Sequence, residues 1–600
     1  MTISSPHLIS GPTLNFGPGM GVHPARRHFT PSHTFTPLTR YTSVADILME
    51  RARRDPNRET FFLVDIEDKL TSVTNAGMLA LAQQAASALS RRGVKRGDRV
   101  FICFDTGPAQ LCAFFGCSLL GAVPVMAEPP LGFARMLSWQ ERARKLTADA
   151  EVKAFIVEEG LRELAEPVAA ERGGLPIMGP TELMEPGEPV DVPALRPDEL
   201  AFIQFSSGTT SDAKGVMVTH GALMTNATRI AEATRTQPHH LNMAWLPLYH
   251  DMGLVGTLIT PMIRDLQVAL MPPLSFVMKP QRWLWAIHYF KAALSQAPNF
   301  AYLLCVNKIP DEELRGLNLS FWRLAFSGAE FIDHRTLEKF QQRFAQYGFR
   351  ATTHFPVYGM AESVLAATFP DPDAEPYLDV ISRERLYEDG EAVPVAPEDP
   401  NAMVLVGVGR PFPGHELRIV DADGAPLPER RQGQVLLKGP SLAAGYVNQP
   451  KLTAESFRDG WLWTGDLGYV ADGELFISGR MKELIIKGGR NYHPFAFETA
   501  AAQVKGCRAG SVVAFGAPDP TAGTEHVVIV FETNVEDAAE VSALCKQVEK
   551  AVYDATGLRP DRVLPAPPRT LPKTSSGKLQ RGRVRDMVLA GNLPSVPPKE

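Results

Sequence analysis

Apolar residues recur at helical spacing from Met78 to Arg92 (MLALAQQAASALSRR), which predicts a helix. A Gly-Asp turn then leads into Arg99 to Cys103, a short run with strand character. A second apolar helix and the strand-like Val123 to Met126 follow, and Val152 to Val157 (VKAFIV) repeats the theme. Helices alternating with short apolar runs at this spacing are βα units, and such units build parallel sheets. The first three-quarters of the chain is therefore expected to be a large layered α/β body. After Arg480 the pattern changes to SVVAF (Ser511 to Phe515), HVVIVF (His526 to Phe531) and a helical stretch from Ala538 to Thr556. These predict a small α+β domain of about 120 residues.

Two segments break the pattern. Residues 1 to about 40 are rich in Pro, Gly, Ser and Thr, carry four histidines (His7, His23, His28, His33) and have no acidic residue before Asp46. Such a start shares its lack of acids with organelle transit peptides, but its Pro and Gly oppose the amphipathic helix they need, so the expectation is a flexible arm. Between Asp371 and Asp399 ten acidic residues stand against Arg383 and Arg385, with four prolines interspersed, and this predicts an exposed excursion from the body. The expected division is an arm over 1–40, a large domain over 41–479 with an acidic insertion at about 371–400, and a small domain over 480–600.

Bulk properties narrow the class. A length of 600 residues corresponds to roughly four domains at ~150 residues each, fewer if the α/β units are large. At 44% hydrophobic and 21% charged the chain can bury a substantial core. A net charge of −6 argues against a duplex-DNA binder, and no nucleic-acid partner is expected. The six cysteines form no CxxC pair, which removes the usual zinc and redox spacings and points to a reducing, cytoplasmic setting. The first twenty residues lack a basic n-region and an apolar h-region, so no secretory signal is expected. Leu111 to Ala127, the longest uncharged apolar stretch, is interrupted by Gly116, Gly121 and Pro124. It reads as a buried helix followed by a strand, and no stable membrane insertion is expected.

The segment Phe205-Ser-Ser-Gly-Thr-Thr-Ser-Asp-Ala-Lys-Gly215 lies between the strand-like LAFIQF and VMVT. It is not a Walker loop, which needs GxxxxGK followed by Ser or Thr between a strand and a helix. Its glycines allow backbone N–H groups to converge, its hydroxyls donate and its lysine supplies charge, so a polyphosphate is the natural guest. The bland alternative is a Ser/Gly/Thr hairpin.

Further motifs follow in order: Tyr358-Gly-Met-Ala-Glu362, Trp463-Thr-Gly-Asp-Leu-Gly468, Gly479-Arg-Met-Lys-Glu483 and Leu571-Pro-Lys-Thr-Ser-Ser-Gly-Lys-Leu-Gln-Arg581. Together they resemble the adenylate-forming superfamily of acyl-CoA synthetases, peptide-synthetase adenylation domains and luciferases, over about residues 42–590. Within it the chain is most similar to fatty acyl-AMP ligases, through Trp245-Leu-Pro-Leu-Tyr-His-Asp-Met-Gly-Leu254, Gln281-Arg-Trp-Leu284, Ala297-Pro-Asn-Phe-Ala-Tyr302, Gly328-Ala-Glu330 and Gly488-Gly-Arg-Asn491. The acidic stretch lies where those ligases carry an insertion.

The resemblance implies an adenylate-forming fold and a set of roles. Ser206, Ser207, Gly208, Thr209, Thr210 and Lys214 would hold the outer phosphates of ATP. Gly328, Ala329, Glu330 and Tyr358, with Gly359 and Met360 beside it, would line the adenine pocket, where an aromatic face stacks on the base. Glu362 would ligate Mg2+, a hard cation suited to oxygen. Asp466 would accept from the ribose hydroxyls, with Arg480 nearby. Lys578 matches the family's catalytic lysine, a point charge able to reach both carboxylate and α-phosphate. Lys482 would sit at the hinge between domains, and His250 would border the acyl tunnel. The implied reaction joins a fatty acid to AMP with release of pyrophosphate, the acyl group passing to the phosphopantetheine arm of an acyl carrier protein.

The phosphate loop departs from the family pattern at Ser211 and Ala213, Gln434 replaces a frequent Glu, and YHPFAFE follows Arg490-Asn491 where relatives tend toward YPQDIE. None of these removes a group that performs chemistry. The alternatives are a CoA-forming acyl ligase and a non-catalytic scaffold of the same fold. An acyl-enzyme of the penicillin-recognising type would use the SxxK matches at Ser211 and Ser575, but lacks the partner KTG and SDN elements.

Overall fold

The structure is a computed structural model that describes residues 5–24, 41–130, 133–205, 214–487, 490–519, 524–574 and 578–596. Two largely parallel sheets form the body. In the larger, eight strands run in the order Ile9–Thr13, Lys69–Thr74, Glu59–Val64, Gln267–Leu270, Leu241–Ala244, Leu294–Ala297, Leu324–Ser327 and His354–Pro356. Glu59–Val64 and the five strands after it in that order are parallel, while the two at the near edge are antiparallel. The second sheet orders Ile177–Met178, Ala154–Val157, Arg99–Cys103, Val123–Met126, Leu200–Phe205 and Gly215–Thr219, with only the last pair antiparallel. Parallel pairing requires crossovers, and the helices expected from the apolar periodicity supply them.

Helices Asn75–Arg91 and Pro108–Leu120 lie in the layer between the sheets. The first is capped by Thr74, whose hydroxyl accepts from Gly77 N–H at 3.0 Å. The second starts on proline, ends at left-handed Gly121 (φ 72°) and is buried on every face, so it has no polar side. The apolar stretch from Leu111 is thus a helix to Leu120 followed by the strand Val123–Met126. The two helices touch at Gly116, where an added Cβ would stand 2.5 Å from that of Ala85. Even alanine there would overpack, at a cost of about 1–3 kcal/mol.

The arm expected over 1–40 is not detached where it is described. Ile9–Thr13 pairs with Lys69–Thr74, Leu14 is buried, and His23 donates its N–H to Tyr289 O at 2.8 Å. The acidic insertion expected at about 371–400 has a fold of its own. Strand Leu378–Ser382 pairs with Ala402–Val406, helix Arg383–Asp389 follows, and Ile381, Leu386, Ala392 and Leu405 form a core with Tyr469, Ala471 and Phe476. Asp379 is buried beneath it, accepting from Tyr469 Oη at 2.8 Å and Arg430 Nη1 at 3.0 Å. The other acids that gave the segment its composition lie around the outside of this small core.

Beyond Arg480, strands Cys507–Asp519, Thr524–Thr533 and Arg562–Ala566 form a three-stranded sheet. Helices Pro494–Ala502, Ala538–Thr556 and Arg581–Leu589 pack on it. Its two hydrophobic clusters, around Phe497 and Phe531 and around Phe515 and Val584, use only residues from 485 onward. The sequence places this unit last, and the packing gives it a core of its own.

Candidate active site

A cavity of about 1480 Å³ opens between these regions. Its wall collects residues following the C-terminal ends of parallel strands Leu324–Ser327 and His354–Pro356, the end of strand Leu200–Phe205, and residues from both sides of Arg480. Parallel-sheet proteins bind ligands at such carboxyl ends because the loops there diverge and leave a crevice.

Tyr358 and Gly359 form a two-residue strand just after His354–Pro356, Met360 and Glu362 follow it, and all four line the cavity. Gly359 permits a close backbone crossing: a Cβ there would fall 1.8 Å from Leu365 O. Tyr358 donates its hydroxyl to Asp466 Oδ2 at 2.7 Å, and Arg480 Nε donates to Asp466 Oδ1 at 2.7 Å. Asp466 is 4% exposed and accepts from both partners. In return Asp466 raises the Arg480 pKa, and burial together with Asp466 raises that of Tyr358. Ala329 and Glu330 line the cavity after strand Leu324–Ser327, Ala329 in the left-handed region at φ 68°. Gly328 does not reach the wall. It packs against Val357, where a Cβ would come 2.9 Å from the side chain and carbonyl, so its role is to let two chain segments approach.

Glu362 accepts a hydrogen bond from Tyr446 Oη at 2.7 Å. Lys214 Nζ stands 4.9 Å from the centre of the Tyr446 ring. Burial lowers the Lys214 pKa while Glu362 opposes that shift. The remaining phosphate-loop candidates, Ser206, Ser207, Gly208, Thr209 and Thr210, lie outside the described residues.

Lys578 enters the same cavity from the small C-terminal unit. Its loop is closed by two hydrogen bonds with Thr574, Lys578 N–H to Oγ1 at 3.0 Å and Thr574 N–H to Lys578 O at 2.7 Å. Burial lowers the Lys578 pKa, and the carboxylates of Asp251 and Glu330 act against it. Those two acids are themselves raised by burial, with Lys578 holding both down. Glu330 is oriented by Phe300 N–H, which donates to Oε1 at 2.7 Å. Asp251 caps the irregular helix Met252–Ile259, accepting from Met252 N–H at 2.7 Å. His250 is pushed down to about 3, by burial first and then by Lys578 and Arg142, and so stays neutral at physiological pH. The result is one half-buried ammonium opposed by two carboxyl groups, with a neutral imidazole beside them.

From this cluster an apolar arm runs past Met252, Phe300, Phe326, Phe369, Leu294 and Leu266. It suits a hydrocarbon chain. Lys482, exposed in the short turn Met481–Glu483, lies on the cavity rim two residues after Arg480. Three residues after Lys578, Arg581 binds both oxygens of Glu498 at 2.9 and 3.0 Å and also donates to Glu483. The acidic excursion reaches across as well. Arg383 donates to Ala555 O, Glu388 pairs with Arg490 at 2.7 Å, Tyr387 packs on Tyr492 and His493, and Phe331 stacks on Phe495 at 4.0 Å.

The motifs did not single out Tyr446, Asp251, Gln204 or Arg581. Asp251 and Arg581 stood inside quoted segments without a role, and Tyr446 has no local signal because its meaning comes from Glu362 and Lys214. Gln204 is 2% exposed at the end of strand Leu200–Phe205, and neither end of its amide has a partner among the described residues.

Residues 48–447 match the family described as AMP-binding enzyme. A medium-chain-fatty-acid–acyl-carrier-protein ligase of Moorena producens is 30% identical over 575 residues, covering 92% of this chain and 96% of that one. A solved chain from a study of fatty acyl-adenylate ligases of E. coli and L. pneumophila superposes with a TM-score of 0.87 at 30% identity, covering 92% of this chain and 99% of that chain. The L. pneumophila fatty acyl-adenylate ligase in complex with acyl adenylate and pyrophosphate gives a TM-score of 0.71 at 27% identity, covering 92% and 98%.

Proposed function

We propose, from the premise that this chain belongs to the AMP-binding enzyme family, that it activates a fatty acid as its acyl-adenylate and passes the acyl group to the phosphopantetheine arm of an acyl carrier protein. The observation that carries the reading is a half-buried lysine, Lys578, in one cavity with the Tyr358–Asp466–Arg480 network on one side and an apolar arm on the other. The fatty-acid and carrier-protein chemistry printed for the relatives supports the choice of substrates.

A carboxylate oxygen attacks the α-phosphorus of ATP. A bond from that oxygen to phosphorus forms, the bond to the β-phosphate oxygen breaks, and pyrophosphate leaves. Both reactants are anions, so the protein must offset their repulsion and hold them in line. Lys578 supplies the positive charge between carboxylate and α-phosphate, and burial makes that charge worth more than it would be in water. Asp466 accepts from the ribose hydroxyls while Tyr358 and Arg480 fix its orientation. Tyr358, Ala329, Glu330, Gly359 and Met360 border the base, Lys214 faces the outer phosphates, and neutral His250 meets the acid's carboxyl end without adding charge.

Among the described residues no group of three or more His, Cys, Asp or Glu side chains is placed to hold a metal ion. A single carboxylate, Glu362, suits Mg2+ that comes with a nucleotide and takes most of its ligands from phosphates and water. Bound there, the ion would neutralise phosphate charge; Tyr446 holds Glu362 in place for it.

Lys482 stands two residues beyond the strand that ends at Arg480 and is the pivot for turning the small unit after adenylation. The contacts from Arg383, Tyr387 and Glu388 support a carrier protein as acceptor, because they brace the unit that would have to turn to admit free coenzyme A. No helix among the described residues is long and apolar enough to cross a membrane.

The test is mass spectrometry of products from ATP, Mg2+ and a panel of fatty acids, with coenzyme A or a phosphopantetheinylated carrier offered separately. Acyl-AMP and acyl-carrier are expected, and Lys578→Ala abolishes both while the protein remains folded. CoA thioester as the main product replaces the carrier reading with the CoA-ligase one. No ATP consumption with any acid removes the activity altogether.

A further inference from the structure

Two residues lining the acyl arm, Gln296 and Thr260, carry side-chain oxygens with no partner among the described residues. Strand Leu294–Ala297 forms one wall. Ser295 turns to the other side, taking the Trp283 indole N–H at 2.7 Å and donating to Met243 O at 2.5 Å. Gln296 turns inward onto the cavity and is 4% exposed. Its Nε2 donates to Asn242 Oδ1 at 2.7 Å, and Asn242 Nδ2 donates to Thr257 O at 3.1 Å. That chain of bonds fixes the amide so that Oε1 is left as an acceptor with no donor among the described residues.

The helix joined to the strand by this chain, Met252–Ile259, packs on it and continues into Thr260–Ile263. Thr257 satisfies its own hydroxyl by donating to Gly253 O at 2.5 Å. Thr260 does not follow suit. Its hydroxyl lines the cavity, buried and without a partner among the described residues. An apolar chain laid between these groups would strand a carbonyl oxygen and a hydroxyl in a dry slot, which binding opposes.

We infer that the acid this site is built for carries a hydroxyl group on its hydrocarbon chain, its O–H donated to Gln296 Oε1 and its oxygen receiving the Thr260 hydroxyl. A keto group does not fit, because it accepts only and leaves Gln296 without a donor. The inference rests on the acyl-adenylation reading above and adds the substrate class. It calls for an upstream reaction that hydroxylates a fatty acid or leaves a hydroxyl on one.

The experiment uses the full-length protein with ATP and Mg2+, measuring pyrophosphate release for saturated acids against hydroxy acids of the same chain length, the hydroxyl moved along the chain one carbon at a time. One hydroxylated position is expected to exceed the matched plain acid in kcat/KM by roughly ten- to a hundred-fold. Gln296→Leu and the near-isosteric Thr260→Val are each expected to narrow that ratio. Since Gln296→Leu also disturbs Asn242, the Thr260 variant decides if the other loses its fold. Plain acids turned over as fast as every hydroxy acid, or a preference that Thr260→Val leaves intact, overturns the inference while the adenylation reading stands. Absence of turnover with all acids overturns both.

Discussion

Arg581→Ala isolates what holds Lys578 in place. The Arg581 side chain is 20% exposed and sits between Glu498 and Glu483, which are 19% and 25% exposed. Burial lowers the Arg581 pKa, but the two carboxylates outweigh it and the net shift is upward. Removing the guanidinium leaves two largely buried carboxylates without their cation. The docking of Lys578 and Arg581 against Glu483 and Glu498 should weaken by about 2–4 kcal/mol. If Lys578 then occupies its place only in the docked fraction, 2 kcal/mol corresponds to a rate loss of roughly thirty-fold and 4 kcal/mol to several hundred-fold. The assay compares pyrophosphate release from ATP and fatty acid with acyl transfer to carrier from preformed acyl-adenylate. Adenylation is expected to fall by that factor and transfer by much less, since Lys578 acts only in the first step; Arg581→Lys should fall between. A folded Arg581→Ala protein with undiminished adenylation refutes the reasoning.

Three further expectations concern other parts of the site. With its pKa near 3, His250 should show no imidazole titration by NMR between pH 5 and 8. The unfolded chain takes up that proton below about pH 6.5, so this histidine makes stability rise with pH from about 3 to 6.5, visible as a smaller acid loss in His250→Gln melts. Asp466→Asn presents an amide N–H to Tyr358 and Arg480 and should raise KM for ATP by roughly ten- to a hundred-fold with a smaller change in kcat, measured by steady-state kinetics. The double variant Arg383→Ala, Tyr387→Ala removes contacts between the acidic excursion and the small unit. It should raise CoA thioester formation by about ten-fold, and an unchanged product distribution takes those contacts out of acceptor choice.

Where local pattern is sufficient, the sequence and the structure agree closely. Strands Arg99–Cys103 and Val123–Met126 and the helix Ala538–Thr556 stand at the residues their periodicity marks. The packing of residues 5–24 and the small core within the excursion were not legible, for one physical reason. Proline, glycine and acid content describe what a segment shows to solvent, not what it meets. Nothing near Ile9 announces a partner at Ser72, and nothing near Ile381, Leu386 and Ala392 announces Tyr469 and Phe476, which complete their core from far along the chain. The site divides in the same way. Motifs mark Lys578, Asp466 and Tyr358, whereas Tyr446, Arg581 and Gln296 gain significance only from neighbours distant in the chain.

The strand Ile9–Thr13 also settles what becomes of the outermost rim of the eight-stranded sheet. Lys69–Thr74 would otherwise offer a row of open amides and carbonyls to any passing extended peptide, including another copy of itself. Here the chain's own beginning occupies that row, and being short and broken by Gly11 and Pro12 it makes a poor template in turn. Shortened versions starting at Tyr41 would uncover the rim, and clumping during expression, rather than loss of chemistry, is the defect to look for first.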